Sequence, residues 1–330
     1  MAQHTVVITD SDLPDAGAEE AVLRAAGLEV RRADCRTADD VIRVGADAVA
    51  LIVQWAPITA AVLDQLPACR FVSRLGIGYD MIDVDAAAAR GVAVANTPDY
   101  CAEEVMAHAM AMVLAMGRGL PQLDRGVREG RWSVAQETPY LRRPSGTKVV
   151  VVGFGRIGSR VARAAAALGF DVAVHDEQLP EGVIAAAGFP SIGFTEALET
   201  ADVLTLHVPL TPATRGLIDR AALARMKPGS QIVNTCRGGL IVEEDLAASL
   251  EAGHTGGAAL DVFAVEPLPL DHPLRRAPNV ILSPHAAWYS PASLAELPVK
   301  AAQQVVAFLE GRPVPSIVNG QSTSNPPLTS

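Results

Sequence analysis

Three side chains of this 330-residue chain could together handle a carboxylate and a proton: Arg237 in "NTCRGG", Glu266 in "VFAVEP" and His285 in "SPHAAW". Arginine offers a planar fork suited to a carboxylate, or to a carboxylate and its neighbouring carbonyl. Histidine is the side chain best able to give or take a proton near neutral pH. A glutamate could hold that imidazole in orientation and favour its protonated form. Each residue also has a plainer reading. Arg237 could cap a turn, Glu266 could be a solvated loop acid before Pro267, and His285 could fill a core or bind a metal. Zinc needs three or four ligands, and no His/Cys/Asp cluster in the sequence offers them, so no metal site is expected. The remaining histidines, including His207 in "HVP", read as structural or exposed, His207 as part of a cofactor wall.

A second chemical motif lies upstream. "KVVVVGFGRIGSRVARAAAALGFDVAVHD" runs from Lys148 to Asp176 and places Gly153-x-Gly155-x-x-Gly158 directly after an all-valine run. The first glycine permits a tight turn, the second lets the backbone approach a pyrophosphate, and the third lets helix and strand pack closely. The helix that follows, apolar at Ile157, Val161, Ala165 and Leu168, points free N–H groups at the phosphates. Asp176, 18 residues past Gly158, would accept from the adenosine ribose hydroxyls. Glu177 and Gln178 follow, with no Arg or Lys to meet a 2′-phosphate, so NAD is expected in preference to NADP. Beside a nicotinamide, the Arg/Glu/His set describes reversible hydride transfer between a 2-hydroxy acid and a 2-oxo acid.

The elements that must position these residues follow from alternation along the chain. "TVVIT" (5–9), "EVRRA" (29–33), "AVALIV" (48–53), "RFVSRL" (70–75) and "VAVAN" (92–96) predict strands separated by Ala/Leu/Glu-rich helices. From Lys148 the pattern restarts, with strands expected at 149–152, 172–175, 203–208, 231–235, 258–262 and 280–283. Fold class is therefore α/β, with two doubly wound parallel-sheet domains. Ligands in open parallel sheets sit at the carboxyl ends of the strands, and the candidate residues fall there one after another. Between the halves, "AEEVMAHAMAMVLAMGRGL" (102–120) reads as a helix apolar around much of its circumference, buried between domains or at a subunit contact. A polar stretch occupies 128–146. The segment 292–311 reads as a last helix that Pro298 should start or kink, and the tail from Asn319 as disordered.

Composition narrows the function classes. A net charge of −10 argues against nucleic acid, and no apolar run reaches the ~18 residues of a membrane helix. The first residues show no signal peptide, and Cys35, Cys69, Cys101 and Cys236 form no CxxC pair, which together predict reduced thiols in a cytoplasmic protein.

Several linked motifs in one order carry a resemblance: "RLGIGYDMID" (74–83), "VVGFGRIG" (151–158), "HVPLTPATRGLI" (207–218), "MKPGSQIVNTCRGGLIVEEDL" (226–246), "GAALDVFAVEPL" (257–268) and "LSPHAAW" (282–288). From about Thr5 to Asn319 the chain resembles the D-isomer-specific 2-hydroxyacid dehydrogenases. The resemblance implies a Rossmann NAD-binding domain, 100–289, inserted into a discontinuous flavodoxin-like substrate domain, 1–99 and 290–330, with a catalytic cleft between them. It assigns Arg237 to substrate binding and polarisation, His285 to acid–base work and Glu266 to the histidine's partner. The backbone at Gly76, Ile77 and Gly78 would hold the substrate carboxylate. Cofactor contacts would come from Gly153, Gly155, Arg156, Ile157, Gly158 and Asp176, then from Val208, Pro209, Thr214, Thr235, Cys236 and Asp261 at later strand ends. A homodimer through the 102–120 helix region is implied as well.

Within the family, "PHAAWYS" and "RLGIGYD" look most like the C-terminal-binding protein branch of NAD(H)-responsive corepressors. Trp288, with Trp55, is then expected to wall the substrate pocket and favour a bulky or apolar 2-oxo acid. Met81, Cys236, Val105 and His108 depart from common family residues, whereas Glu266 argues against a formate dehydrogenase, where a neutral amide is usual. Two other readings share the same residues: an NAD(H) sensor acting through protein partners, and a dehydrogenase of an oxidised phosphorus acid, since a phosphonate can imitate a carboxylate at Arg237.

Overall fold

The computed structural model describes residues 4–13, 17–134, 141–180 and 182–321. The chain divides into two compact units, one running to Cys101 and resuming at Tyr289, the other Ala102–Trp288. Both are parallel sheets flanked by helices.

In the first unit, β1 (Thr5–Ile8), β2 (Glu29–Arg32), β3 (Ala50–Val53), β4 (Phe71–Arg74) and β5 (Ala93–Ala95) pair in the order β2-β1-β3-β4-β5. This is the flavodoxin-like order. Strands β1, β3, β4 and β5 are buried at every residue and read as mostly apolar, with Ser73 and Arg74 of β4 among the buried polar exceptions, whereas the edge strand "EVRR" is polar and partly open. The chain reverses its winding between β1 and β3. At that switch point the buried Asp10 carboxylate accepts from the backbone amides of Gln54 (3.2 Å), Trp55 (2.5 Å) and Ala56 (3.2 Å). The Trp55 indole donates to Asp12 (2.8 Å), and the Arg74 guanidinium stands 5.3 Å from its ring centre. Past β4, the Gly76–Gly78 loop is tied down by Asn96 Nδ2, which donates to the Ile77 carbonyl (2.7 Å), and by the Thr97 amide on the Gly76 carbonyl (2.9 Å).

The last helix does not start at Pro298. It spans Pro291–Leu309, starts behind a Ser290–Ser293 capping box, and carries Pro298 buried inside it. A proline in a helix interior costs about 3 kcal/mol. Here the buried face Leu297, Ala301, Val305 and Phe308 offsets it, with Phe308 stacked on Phe71 at 4.5 Å between ring centres.

In the second unit, β6 (Lys148–Val152), β7 (Asp171–His175), β8 (Val203–Leu206), β9 (Ser230–Asn234), β10 (Thr255–Leu260) and β11 (Val280–Leu282) pair in the order β11-β10-β9-β8-β6-β7. The valines of β6 show why both sides are covered. Val149 and Val151 enter a core with Met110, Met112, Val113 and Met116, while Val150 and Val152 enter the opposite core with Leu204, Leu206 and Ile232. The Ala/Met-rich helix is Ala102–Gly117, followed after Gly119 by a shorter helix, Leu120–Arg128. Its buried face packs on β9, β10 and the helix Gly158–Ala167 within its own unit. Residues 135–140 of the polar stretch and 322–330 of the tail lie outside the described residues. Among those described, no helix is long and apolar enough to cross a membrane.

Candidate active site

The second unit's winding reverses between β6 and β8, and the glycine loop leaves β6 at that point. Gly153 has φ +96°, and a Cβ there would lie 2.4 Å from the His207 carbonyl oxygen, just past β8. A Cβ on Gly158 would lie 1.9 Å from the Gly153 carbonyl oxygen. These two glycines are required by the protein's own backbone. Gly155 is not: among the described residues, a Cβ there meets nothing beyond its chain neighbours within 4 Å. The loop thus leaves open space over its middle glycine, ahead of the N-terminus of the helix Gly158–Ala167, where a dinucleotide phosphate fits.

The remaining cofactor candidates ring this edge. Arg156 is exposed and Ile157 caps the helix. Asp176, at the end of β7, accepts from the Phe154 amide (2.7 Å), which fixes the loop, and from those of Gln178 (2.8 Å) and Leu179 (3.2 Å). After Val208, the turn closes on itself as the Thr214 hydroxyl donates to the Pro209 carbonyl (2.6 Å). His207 Nε2 pairs with the Thr205 hydroxyl (2.9 Å), and burial pushes its imidazole down to about 3, so it stays neutral.

Past β9, the buried Asn234 side chain clamps the turn that presents Arg237. Its Oδ1 accepts from the Cys236 amide (3.0 Å) and its Nδ2 donates to the Arg237 carbonyl (2.8 Å). The Cys236 thiol donates to the Leu206 carbonyl (2.8 Å) and is pushed up to about 12 by burial, which makes it an inert packing group. Thr235 Oγ1 beside it is buried without a hydrogen-bond partner among the described residues, as an atom awaiting a ligand would be.

His285 lies past β11 in the left-handed region, φ +54°, where a non-glycine residue is strained. Asp261, at the end of β10 and fully buried, holds it there. The Asp261 carbonyl accepts from the His285 amide (2.7 Å), and its carboxylate accepts from the Ser283 hydroxyl (2.5 Å) and the amides of Ala286 and Ala287 (both 2.8 Å). His108 Nε2 pairs with the same Ser283 hydroxyl at 3.1 Å. Asp261 therefore clamps the loop, a task that its place at a strand end does not reveal.

Glu266 Oε2 lies 2.8 Å from His285 Nδ1, and Glu266 Oε1 accepts from the Phe263 amide (2.8 Å). Burial works against the Glu266 carboxylate, but His285, the Phe263 amide and Arg237 outweigh it and hold its carboxyl below the usual range. The carboxylate thus engages the imidazole through Nδ1. The second unit brings Arg237, Glu266 and His285 to one strand-end rim and closes with Trp288, which is half-buried. Trp55 and Gly76–Gly78 belong to the first unit.

Two residues outside the sequence expectations stand behind this set. Glu243, buried at the first position of the helix Glu243–Glu251, accepts from the Ala264 amide (2.7 Å) and lies 3.1 Å from His272 Nε2. Three acids in a helix's first turn read as dipole complements in a sequence, which hides the one that is buried.

The segment 110–287 matches the family model for the D-isomer specific 2-hydroxyacid dehydrogenase, NAD binding domain. The chain belongs to the D-isomer-specific 2-hydroxyacid dehydrogenase family. It is 37% identical over 265 residues to a glyoxylate reductase of Korarchaeum cryptofilum, covering 80% of each chain. It is 40% identical over 299 residues to a D-3-phosphoglycerate dehydrogenase of Mycobacterium tuberculosis, covering 88% of this chain and 55% of that protein. This chain thus spans about half the length of the phosphoglycerate dehydrogenases it matches. A crystal structure of D-lactate dehydrogenase from Aquifex aeolicus, complexed with NAD and lactic acid, matches with a TM-score of 0.84 at 27% identity, covering 93% of this chain and 96% of that one. The family's NAD-binding domain thus contains all six strands β6–β11, the glycine loop, Arg237, Glu266 and His285.

Proposed function

We propose that this chain is an NAD-dependent D-2-hydroxyacid dehydrogenase that works as a reductase of small 2-oxo acids. The observation that carries the reading is the Glu266–His285 pair at 2.8 Å, set with Arg237 on the strand-end rim of an NAD-binding domain. Arg237 binds the substrate carboxylate and draws charge from the neighbouring carbonyl. His285 gives its Nε2 proton to the carbonyl oxygen as charge develops there, and takes it back in the reverse direction. Glu266, ionised throughout the neutral range, fixes the ring and stabilises its imidazolium. NADH would supply the hydride, held by the Gly153–Gly158 loop and by Asp176, whose carboxylate favours a free ribose hydroxyl over a 2′-phosphate.

Trp288, half-buried where the second unit's rim ends, supports a preference for bulky or apolar 2-oxo acids. Exposed apolar side chains at Leu120, Val127 and Trp132, at and just past the end of the 102–120 helix region, support a homodimer through that region, with sedimentation as its test.

NADH oxidation across a panel of 2-oxo acids, from glyoxylate and hydroxypyruvate to branched, thioether and aryl side chains with phosphono analogues included, tests the activity. Turnover greatest with the bulky members is the expected result. A preference for glyoxylate or the phosphonates keeps the dehydrogenase and discards the indole-walled pocket. Tight NADH binding with no member reduced moves the sensor reading ahead.

A further inference from the structure

We propose that Glu243, with His272, is a positioning residue for the Arg237–Glu266–His285 set, acting through the turn Phe263–Ala264. The proposal rests on the dehydrogenase reading above.

Consecutive amides of that turn are divided between two carboxylates. The Phe263 amide donates to Glu266 and the Ala264 amide to Glu243, at 2.8 and 2.7 Å. Each carboxylate then meets an imidazole, Glu266 meeting His285 at 2.8 Å and Glu243 meeting His272 at 3.1 Å. Two Glu–His pairs thus share one two-residue turn. The turn also touches the Arg237 loop, because Gly238 packs so closely that a Cβ would fall 1.8 Å from the Phe263 carbonyl carbon. Whatever holds this turn sets the spacing of all three site residues.

His272 is organised for this task. Its Nδ1 accepts from the Leu274 amide (3.4 Å), which turns the ring so that Nε2 lies 3.1 Å from Glu243 Oε2. Burial pushes the Glu243 carboxyl above its usual range, the Ala264 amide and His272 act against that, and Glu244 and Glu266 add to it. The two glutamates therefore sense one another. Of the charged and titratable groups around the Glu266–His285 pair in this unit, Arg237 past β9 acts on Glu266 and Glu243 at the helix start couples to it, while Glu244 and His272 act on Glu243. Asp261, with His108 3.7 Å from it, supports the other side of the His285 loop.

The test compares wild type with Glu243→Gln and Glu243→Ala by pH profiles of kcat and KM in 2-oxo acid reduction, by NADH affinity, and by NMR titration of the Glu266–His285 pair. Glutamine can still accept from the Ala264 amide but carries no charge. Glu243→Gln is expected to keep most of kcat at low pH and to move the alkaline limb, and the pair's proton release, to lower pH by roughly half a unit to one unit. Glu243→Ala is expected to lower kcat by about 10- to 100-fold through loss of the turn. NADH affinity is expected to stay at the wild-type value in both.

Unchanged pH profiles in both variants overturn the proposal, even if thermal stability falls. So does a fall in NADH affinity that matches the loss of turnover. If wild type reduces no 2-oxo acid, the dehydrogenase reading fails, yet the NMR comparison still decides this inference: a proton release unmoved in Glu243→Gln overturns it, and one that moves to lower pH supports it. Should Glu243→Ala not fold, the glutamine variant decides by the same readouts.

Discussion

Replacing His285 by Asn lowers 2-oxo acid reduction by about 10²- to 10⁴-fold, the usual worth of a positioned general acid. NADH affinity is expected to remain, because the glycine loop and Asp176 leave β6 and β7, away from the residues past β11. Asparagine tolerates the left-handed backbone that His285 adopts at φ +54°, so the Asp261 clamp stays intact and the loss reports proton transfer. Glu266→Gln should be milder at low pH and worse at high pH. The lowered Glu266 carboxyl is ionised above its own titration range, so its support for the protonated partner is present through neutral pH and fades only in acid. An amide lacks that charge, and reduction should therefore fail at a lower pH than in wild type. Steady-state rates of all three proteins across pH 5–10, with NADH fluorescence as the binding control, provide the measurement. A His285→Asn variant with wild-type turnover would falsify the assignment of the acid.

The contrast between what these residues do and what their sequence shows is instructive. Most strands were legible because parallel strands covered on both sides must be mostly apolar, and "KVVVVG" or "AVALIV" can hardly be anything else. The glycine loop was legible because its three glycines meet three separate steric demands within a single turn. The strand ends carrying Arg237, Asp261 and His285 followed from the alternation alone. Partner choice did not. Glu243 precedes Ala264 by 21 positions, and only the packing of a helix start on a distant turn joins them. Asp261 could be placed at the rim, but its bonds to residues 283–287 depend on β10 and β11 being neighbours in register. That the helix begins ahead of Pro298 has a related cause. Local propensity sets a penalty at that residue, while the buried face of its helix, including the Phe308–Phe71 stack, is a tertiary term that outweighs it.

Two glycine substitutions, each adding one methyl group, are expected to separate cofactor binding from catalysis. In Gly238→Ala the new carbon would fall 1.8 Å from the Phe263 carbonyl carbon and 2.2 Å from the Ala264 nitrogen. Both are backbone atoms, so no side chain can swing aside, and the Arg237 loop must part from the turn that carries Glu266. A displacement near 1 Å at reacting groups costs about 10²-fold or more in rate. Overpacking of this kind also removes about 1–3 kcal/mol of stability. Gly238→Ala should therefore melt earlier and lose turnover while still binding NADH at the remote glycine loop. Gly155→Ala should do the reverse. Among the described residues nothing beyond its chain neighbours lies within 4 Å of its new carbon, so melting temperature should hold. The methyl group would occupy the space over the phosphate loop, and NADH affinity should drop. If Gly155→Ala binds NADH as wild type does, the open space over that glycine is no phosphate site, and the cofactor must be held by some other part of the rim.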